Sequence, residues 1–226
     1  MNPDKQQKVS ILGAGLAGSL LASLLARQGH SVEVYEKRAD PRKAKITAGR
    51  SINLALSLRG WEALQRAGIA DQIREQAIPM KGRMVHSPEG KASLQPYGKE
   101  GQAIYSVSRS DLNRKLISQS EKNGVHFYFD HACQEVDLEK NTLVLQSSEG
   151  QKSLVADLIV GADGAFSILR STLQKTPRFN YSQHFIEHGY KELTIPPTAD
   201  GDFAMDPNAL HIWPRGGFML IALPNP

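Results

Sequence analysis

Three closely spaced glycines place the strongest limit on the folds that this sequence can adopt. The apolar segment Lys8–Leu12 runs into Gly13, Gly15 and Gly18 at G-x-G-x-x-G spacing, and the apolar segment Ser19–Arg27 follows. A strand, a glycine turn and a helix in this order are typical of a dinucleotide site. The first glycine permits the tight turn, the second lets a pyrophosphate approach the backbone, and the third lets the helix pack on the sheet. The helix N-terminus then offers N–H groups and a positive dipole end to the phosphates.

An acidic residue follows at the position that such a site requires. The segment Ser31–Tyr35 has the pattern of a second strand and ends on Glu36. A carboxylate about 20 residues beyond the glycines suits a ribose hydroxyl. The sequence therefore predicts a dinucleotide with a free 2′-hydroxyl, as in FAD or NAD.

The same N-terminal stretch permits another interpretation. Val9–Ala26 is almost continuously apolar and is preceded by Lys5 and Lys8, a pattern also found in signal peptides and membrane spans. Three glycines within the run, and a β-rich segment directly after Gly29, argue against a simple span. Buried parallel strands and the helices that cover them also read as continuous apolar runs. We therefore favour the nucleotide site.

Composition sets further bounds. The chain has 226 residues, enough for one large or two small domains, with 40% hydrophobic and 22% charged residues, as in soluble globular proteins. The net charge of +4 fits an anionic cofactor and an acidic substrate without demanding nucleic acid, and the basic residues are scattered. Cys133 is the only cysteine, which excludes an internal disulfide and a cysteine metal cluster. We expect a reducing, cytoplasmic location.

Several further elements follow from periodicity. Helices are predicted over Leu58–Ala67 and Arg109–Asn123, and a hairpin is predicted from Met80–His86 and Lys91–Gln95. A meander is predicted from strands at Gln134–Leu138, Thr142–Gln146 and Ser153–Val160. The basic segment Lys37–Lys45 has the pattern of a solvated surface loop, although Arg38 is also placed to lean over a bound nucleotide.

A second informative stretch lies near the middle of the chain. A predicted buried strand, Ala156–Val160, ends at Gly161-Ala162-Asp163-Gly164, and a helix is predicted to follow. Ligands of open α/β sheets bind outside the carboxyl ends of the strands. We therefore expect Asp163 at the same sheet edge as the glycine turn. Its spacing is equally compatible with a helix cap and with a ligand contact.

The remainder is predicted to be antiparallel sheet, with strands at His184–Glu192, Leu210–Trp213 and Phe218–Leu223. This pattern divides the chain into two predicted domains. Residues 1–78 and 100–176 form a discontinuous nucleotide-binding domain, and residues 79–99 and 177–226 form a partial β-sheet domain. The chain stops directly after an apolar strand, so we expect it to be truncated.

The two motifs together resemble the single-component FAD-dependent aromatic hydroxylases. The first motif occurs in many Rossmann proteins, whereas Gly161-Ala162-Asp163-Gly164-x-x-Ser167-x-x-Arg170 at this separation is quite specific. Within that family the chain resembles the members that act on kynurenine. That similarity is carried by Gly49–Ser57, Lys81–His86, Leu94–Gly98, His188–Leu193 and Asn208–Pro214.

The resemblance implies an α/β fold, in which a Rossmann-like FAD-binding domain accompanies a β-sheet substrate domain. It also implies that NADPH reduces FAD and that molecular oxygen then hydroxylates L-kynurenine beside its amino group, with loss of water, in tryptophan catabolism and NAD biosynthesis. The cofactor carries this chemistry and the protein positions and shields it. No catalytic side chain and no metal are implied.

The resemblance also assigns residues. Those assigned to FAD are Gly13, Gly15, Leu16, Ala17, Gly18, Glu36, Lys37, Arg38, Ala55, Arg109, Cys133 and Asp163. Among them, Cys133 would touch adenine through its backbone, and Asp163 would also lie near the NADPH path.

Arg83 and Tyr97 match the pair that binds the amino-acid carboxylate of kynurenine. An arginine fork binds a carboxylate with two parallel hydrogen bonds, and a tyrosine hydroxyl adds one donor. Without the resemblance, a surface charge and a packed loop aromatic would be the simpler interpretation of these two residues.

The resemblance covers roughly the first half of such an enzyme, because a second FAD motif and further substrate-binding residues of the family are not in this sequence. Two alternatives therefore stay open at this point. One is a non-catalytic flavin-binding fragment, and the other is an NAD-dependent Rossmann dehydrogenase, which Glu36 permits.

Overall fold

The computed structural model describes residues 6–43, 53–99 and 101–225. The resemblance segment Gly49–Ser57 therefore lies partly outside the described residues. The helices are α1 (Leu16–Arg27), α2 (Leu58–Ala67), α3 (Ala70–Arg74), α4 (Arg109–Lys122) and α5 (Ile168–Leu173). The strands are β1 (Lys8–Leu12), β2 (Ser31–Tyr35), β3 (Asn53–Leu56), β4 (Ile78–Met80), β5 (Gly82–His86), β6 (Ala92–Pro96), β7 (Ile104–Ser108), β8 (His126–Tyr128), β9 (Ala132–Asp137), β10 (Thr142–Ser147), β11 (Gly150–Val155), β12 (Leu158–Gly161), β13 (Ala209–Arg215) and β14 (Phe218–Ala222).

The chain divides into two compact units. The first comprises the described residues of Met1–Thr47, Arg66–Ile69 and Asn113–Ile186, and the second those of Ala48–Gln65, Ala70–Leu112 and Glu187–Pro226. These bounds follow from how compactly the segments pack with one another. The predicted division into a nucleotide-binding and a substrate domain concerns function and stays a prediction.

A parallel sheet forms the centre of the first unit, in the order β12-β1-β2-β8. Its core is aliphatic, with Val9, Ile11, Val32 and Val34 all at most 1% exposed. The buried face of α1 consists of small residues, which lets this helix lie close to its neighbours. The mixed α/β fold with a Rossmann-like sheet is therefore as the sequence predicts.

The apolar run Val9–Ala26 is divided between β1, the glycine turn and α1, which is one turn longer at its start than Ser19–Arg27 predicts. In the part of the chain that the structure describes, no helix is long and apolar enough to cross a membrane.

One predicted strand is in fact two. The segment Ser153–Val160 contains the end of β11, which pairs antiparallel with β10, and the start of β12, which pairs parallel with β1. The chain changes sheets at Ala156 and Asp157, where Asp157 Oδ2 accepts a hydrogen bond from Lys8 N at 2.8 Å. The strand β12 is also an edge strand and only half-buried, not fully buried as predicted. Periodicity missed the change because the end of β11, Leu154 and Val155, and the strand β12 are both apolar.

The second unit contains two sheets, in the orders β14-β13-β5-β6 and β3-β7-β4. The predicted hairpin is present as β5 and β6, and β13 pairs antiparallel with β14. However, β13 pairs parallel with β5, so the predicted purely antiparallel sheet is a mixed one. Strand direction depends on a pairing between distant segments, which alternation along one segment does not reveal.

The predicted strand His184–Glu192 was wrong. This segment is irregular in the structure, and Phe185 is 87% exposed. A strand requires a neighbouring edge with which its backbone groups can pair. The apolar and aromatic residues that suggested a strand here lie at the surface instead.

Candidate functional site

The glycine turn packs tightly against the second sequence motif. Gly13 has φ +101°, and an added Cβ would lie 2.5 Å from the carbonyl oxygen of Ala162. A Cβ on Gly18 would collide with the carbonyl oxygen of Gly13. Both glycines are therefore required by the protein's own backbone, as predicted for the tight turn and for close helix packing.

Gly15 differs from these two glycines. It precedes α1 with φ −72°, a value open to any residue, and a Cβ there would meet no protein atom within 4 Å. No acidic residue occupies the first turn of α1. The fold thus leaves open space beside a helix N-terminus whose own first turn carries no carboxylate, and such a cradle fits a pyrophosphate.

Glu36 closes the turn from the second strand. It is only 6% exposed, its Oε2 accepts a hydrogen bond from Ala14 N at 2.9 Å, and its Oε1 accepts one from Arg38 Nε at 2.9 Å. Burial by itself opposes ionisation, but the hydrogen bonds from Arg38 and Ala14 outweigh it, so the pKa of Glu36 lies below its usual value. Arg38 N also donates to Oε1 at 3.0 Å, so three of the roughly four acceptor sites of the carboxylate are used and about one is left for a ribose hydroxyl.

Asp163 serves the protein with one oxygen only. Its Oδ2 accepts a hydrogen bond from Ile168 N at 2.8 Å at the start of α5. The cap of that helix is Ser167, whose Oγ accepts from Arg170 N at 3.1 Å. Asp163 Oδ1 is buried and has no hydrogen-bond partner among the described residues. The cap role is thus partly present, and one buried oxygen remains available to a donor on a ligand.

Sequence reasoning missed Asn113, which lies on α4. Its Nδ2 donates a hydrogen bond to the carbonyl oxygen of Ala14 at 3.1 Å, and the hydroxyl of Ser19 donates to the same oxygen at 3.1 Å. Asn113 Oδ1 is buried without a partner in the described part of the chain. A polar residue on an amphipathic helix carries no sequence signal for such a contact.

Cys133 lies in β9, where its Sγ contacts the carbonyl oxygen of Glu135 at 3.4 Å. Burial raises the pKa of this thiol to about 11, the nearby charge of Asp163 adds to the increase, and the contact with Glu135 opposes it. The thiol is therefore protonated at neutral pH, which agrees with a role assigned to the backbone of this residue and not to its sulfur.

In the second unit, the structure brings Arg83 and Tyr97 together. The Arg83 guanidinium lies over the Tyr97 ring, with 5.2 Å from Cζ to the ring centroid. Arg83 is exposed and forms no ion pair with any described residue. The Tyr97 hydroxyl is buried, and no described group meets hydrogen-bond geometry with it. Burial raises the pKa of Tyr97, although the charge of Arg83 opposes the increase. This pair places a cation without a carboxylate partner among the described residues beside a buried hydroxyl, which fits a carboxylate ligand.

The other predicted site residues are distributed over both units. Lys37 and Arg38 follow β2 and are exposed, and Leu16 and Ala17 begin α1. Ala55 pairs with Ser106 between β3 and β7, and Arg109 is the first residue of α4. Their contacts with FAD stay predictions.

Comparison with known proteins decides the family. The sequence profile of a family described as FAD binding domain matches residues 6–219. The chain belongs to this family of FAD-binding domains. The relatives of this chain include proteins named kynurenine 3-monooxygenase. The protein from Christiangramia forsetii is 52% identical over 98% of this chain, that from Anopheles gambiae 50% over 96%, and that from Sus scrofa 49% over 98%. The chain covers 50%, 46% and 47% of these relatives, so it spans about half of their length.

Solved structures agree on the fold of this FAD-binding domain. A structure of 2-methyl-3-hydroxypyridine-5-carboxylic acid oxygenase matches 74% of this chain and 42% of its own, with a TM-score of 0.62 and 25% identity. The p-nitrophenol 4-monooxygenase of Pseudomonas putida DLL-E4 matches 73% of this chain and 42% of its own, with a TM-score of 0.63; at 21% identity it supports the fold alone.

The residues of the glycine turn fit FAD. The open cradle at Gly15 suits the pyrophosphate, the buried Glu36 suits a ribose, and the unpaired Asp163 Oδ1 offers an acceptor at the same sheet edge. The family match favours this cofactor over the alternative of an NAD-dependent dehydrogenase.

Proposed function

We propose that this chain is the FAD-binding part of an NADPH-dependent monooxygenase that hydroxylates L-kynurenine to 3-hydroxykynurenine. The observation that carries the proposal is the extent of the similarity. Relatives named kynurenine 3-monooxygenase are 49–52% identical over 98% of this chain, which includes both motifs and both residues of the substrate pair.

FAD, when bound and reduced by NADPH, supplies the oxygen chemistry of this reaction. The overall balance is kynurenine, NADPH, a proton and molecular oxygen going to 3-hydroxykynurenine, NADP⁺ and water. The protein contributes binding and orientation. Gly13, Gly15 and Gly18 shape the cradle for the pyrophosphate, Glu36 receives a ribose, and Asp163 offers Oδ1 to a donor of the dinucleotide.

The remaining FAD contacts are proposed on the same basis. Lys37 and Arg38, which directly follow Glu36, are proposed to contact the cofactor. The backbone of Cys133 is proposed to contact adenine. Ala55 and Arg109 are each proposed to contact FAD.

Arg83 and Tyr97 are proposed to bind the amino-acid carboxylate of kynurenine. An arginine that lacks a carboxylate partner among the described residues is ready to accept one from a substrate. The Tyr97 hydroxyl, buried beside the guanidinium, can donate to the same carboxylate. A ligand with a carboxylate therefore matches this pair.

The biological setting follows from the same proposal. The reaction belongs to tryptophan catabolism and NAD biosynthesis, and we place it in the cytoplasm. The predicted functional division is part of this proposal, with residues 1–78 and 100–176 for FAD and residues 79–99 and 177–226 for substrate.

Two measurements test the proposed function. We expect the purified protein to retain FAD after dialysis, seen in its visible absorption spectrum. In the full-length protein we expect L-kynurenine to stimulate NADPH oxidation with formation of 3-hydroxykynurenine, detected by mass spectrometry. FAD retention without any kynurenine-dependent product would overturn the substrate, and absence of bound flavin from the full-length protein at saturating FAD would overturn the cofactor.

A further inference from the structure

The backbone of Ala14 is held from three directions. The N–H of Ala14 donates to Glu36 Oε2 at 2.9 Å, and the carbonyl oxygen of Ala14 accepts from Ser19 Oγ and from Asn113 Nδ2, each at 3.1 Å. Ala14 is only 3% exposed. Both lone pairs of this carbonyl are therefore used by side chains, Ser19 and Asn113.

The direction of this carbonyl determines what the turn presents to a ligand. The Ala14 carbonyl and the Gly15 N–H belong to one planar trans peptide, so they point in opposite directions. By holding the carbonyl toward α4, Asn113 turns the Gly15 N–H away from α4. Gly15 is also the glycine whose surroundings are open. The amide of Asn113 thus sets the orientation of the donor at the cradle.

The orientation of the Asn113 amide follows from chemistry. A carbonyl oxygen can only accept, so the atom that faces Ala14 must be Nδ2, and Oδ1 must lie on the other side. That Oδ1 is buried and has no partner among the described residues. A buried acceptor without a partner is costly to the fold. The stability of the fold does not by itself explain an asparagine at this position. The hydrogen bond that its Nδ2 donates to the glycine turn does.

A second asparagine on the same helix provides a comparison. Asn123 Nδ2 donates to Ser23 Oγ at 2.8 Å, and Ser120 Oγ donates to the carbonyl oxygen of Ser19 at 2.9 Å. These two contacts join α4 to α1 away from the turn. Among these polar contacts between the two helices, only that of Asn113 reaches the glycine turn.

We propose that Asn113 is a positioning residue for the dinucleotide, which acts by fixing the Ala14–Gly15 peptide from α4. The inference rests on the proposed binding of FAD at this turn. It predicts that loss of the Asn113 amide weakens FAD binding more than it weakens the fold.

The test compares Asn113→Ala with Asn123→Ala, each in the purified holoprotein and in its apoprotein. The dissociation constant for FAD is measured from flavin fluorescence, the geometry of the bound flavin from visible circular dichroism, and stability from the melting temperature of the apoprotein. We expect Asn113→Ala to weaken FAD binding about tenfold and to change the dichroism, because one positioned hydrogen bond is lost. We expect Asn123→Ala to lower the melting temperature similarly but to change the dissociation constant less than about twofold.

Each outcome separates the two proposals. If the wild-type protein binds no FAD, the cofactor assignment and this inference both fail. If it binds FAD and Asn113→Ala binds it equally well, or if both variants lose the same affinity, only the positioning role is overturned. Asn113→Leu, which keeps the branched shape and the number of side-chain heavy atoms but has no donor, replaces Asn113→Ala if the alanine variant does not fold, and the same loss of affinity is expected.

Discussion

The carbonyl oxygen of Ala162 lies 2.5 Å from the position that a Cβ on Gly13 would occupy. This approach joins the two motifs, because β1 and β12 are parallel neighbours in which Leu12 is in register with Gly161. The carboxyl ends of both strands therefore open at one sheet edge, where the glycine turn and Asp163 both lie.

The substitution Gly13→Ala should be strongly destabilising. Its methyl group would collide with a backbone carbonyl, and its φ of +101° is unfavourable for a residue with a Cβ. We expect a loss of about 3 kcal/mol or more in the free energy of unfolding, measured by urea denaturation of the apoprotein. Gly29→Ala is the control, since Gly29 has φ +88° but open space. It should lose only about 1 kcal/mol. Equal losses in both variants would contradict the role of the close approach.

The substitution Gly15→Ala should separate binding from folding. No protein atom lies within 4 Å of the added Cβ, so the free energy of unfolding should change by less than about 1 kcal/mol. The methyl group would however occupy space that the pyrophosphate needs, and FAD affinity should fall about tenfold or more. Fluorescence titration with FAD measures this, and unchanged affinity would exclude a pyrophosphate at Gly15.

Ionised Glu36 should contribute to stability at neutral pH. Its pKa is lower in the folded than in the unfolded chain, so its contribution is present above the unfolded pKa and is lost as the pH falls through the folded one. Glu36→Gln should therefore cost about 1–2 kcal/mol at pH 7, and the difference from wild type should shrink below about pH 4. Urea denaturation of the apoprotein at several pH values tests this, with the exposed Glu139→Gln as a control that should change little. A difference that is constant with pH would contradict the assignment.

Cys133 should react slowly with thiol reagents in the folded protein. With its pKa raised to about 11, the thiolate fraction is small at pH 8. Alkylation by iodoacetamide should be about a hundredfold slower than in the urea-unfolded chain. The rate is followed by mass spectrometry from pH 7 to 10, where it should keep rising. A plateau below pH 9 would show that the thiol is not buried as described. Cys133→Ala should leave FAD affinity within about twofold, because the proposed contact is made by backbone.

The Tyr97 hydroxyl should matter for substrate and not for stability. Because it is buried without a hydrogen-bond partner among the described residues, Tyr97→Phe should leave the free energy of unfolding unchanged or raise it by up to about 1 kcal/mol. Affinity for L-kynurenine, measured by calorimetry on the full-length holoprotein, should fall about tenfold. Tyr190→Phe at an exposed position is the matched control.

The partner substitution Arg83→Ala should cost about 2–5 kcal/mol of kynurenine affinity, the range for removing one member of a desolvated charge pair. Lys91→Ala, at an exposed position of the same hairpin, should cost nothing measurable. An unchanged affinity in Arg83→Ala would refute the carboxylate site.

The site residues differ in how visible they are in the sequence. Gly13, Gly18 and Glu36 have fixed spacings because backbone geometry demands them, and the structure places all three at the predicted turn. Asn113 has no such signature, because its contact with Ala14 depends on how α4 packs beside α1. The sequence left two roles open for Asp163, a helix cap and a ligand contact. Tertiary structure places its two oxygens in different surroundings, which spacing does not reveal.

Elements whose cause is local could be predicted from the sequence. The apolar strand β1, the glycine turn, α1 and the hairpin of β5 and β6 follow from side-chain periodicity and from backbone angles open only to glycine. Tertiary structure alone decided that Ser153–Val160 is divided between two sheets, that β13 runs parallel to β5, and that His184–Glu192 forms no strand. The physical reason is that a strand exists only when its N–H and C=O groups find a partner edge, and that partner is supplied by residues far away in the chain.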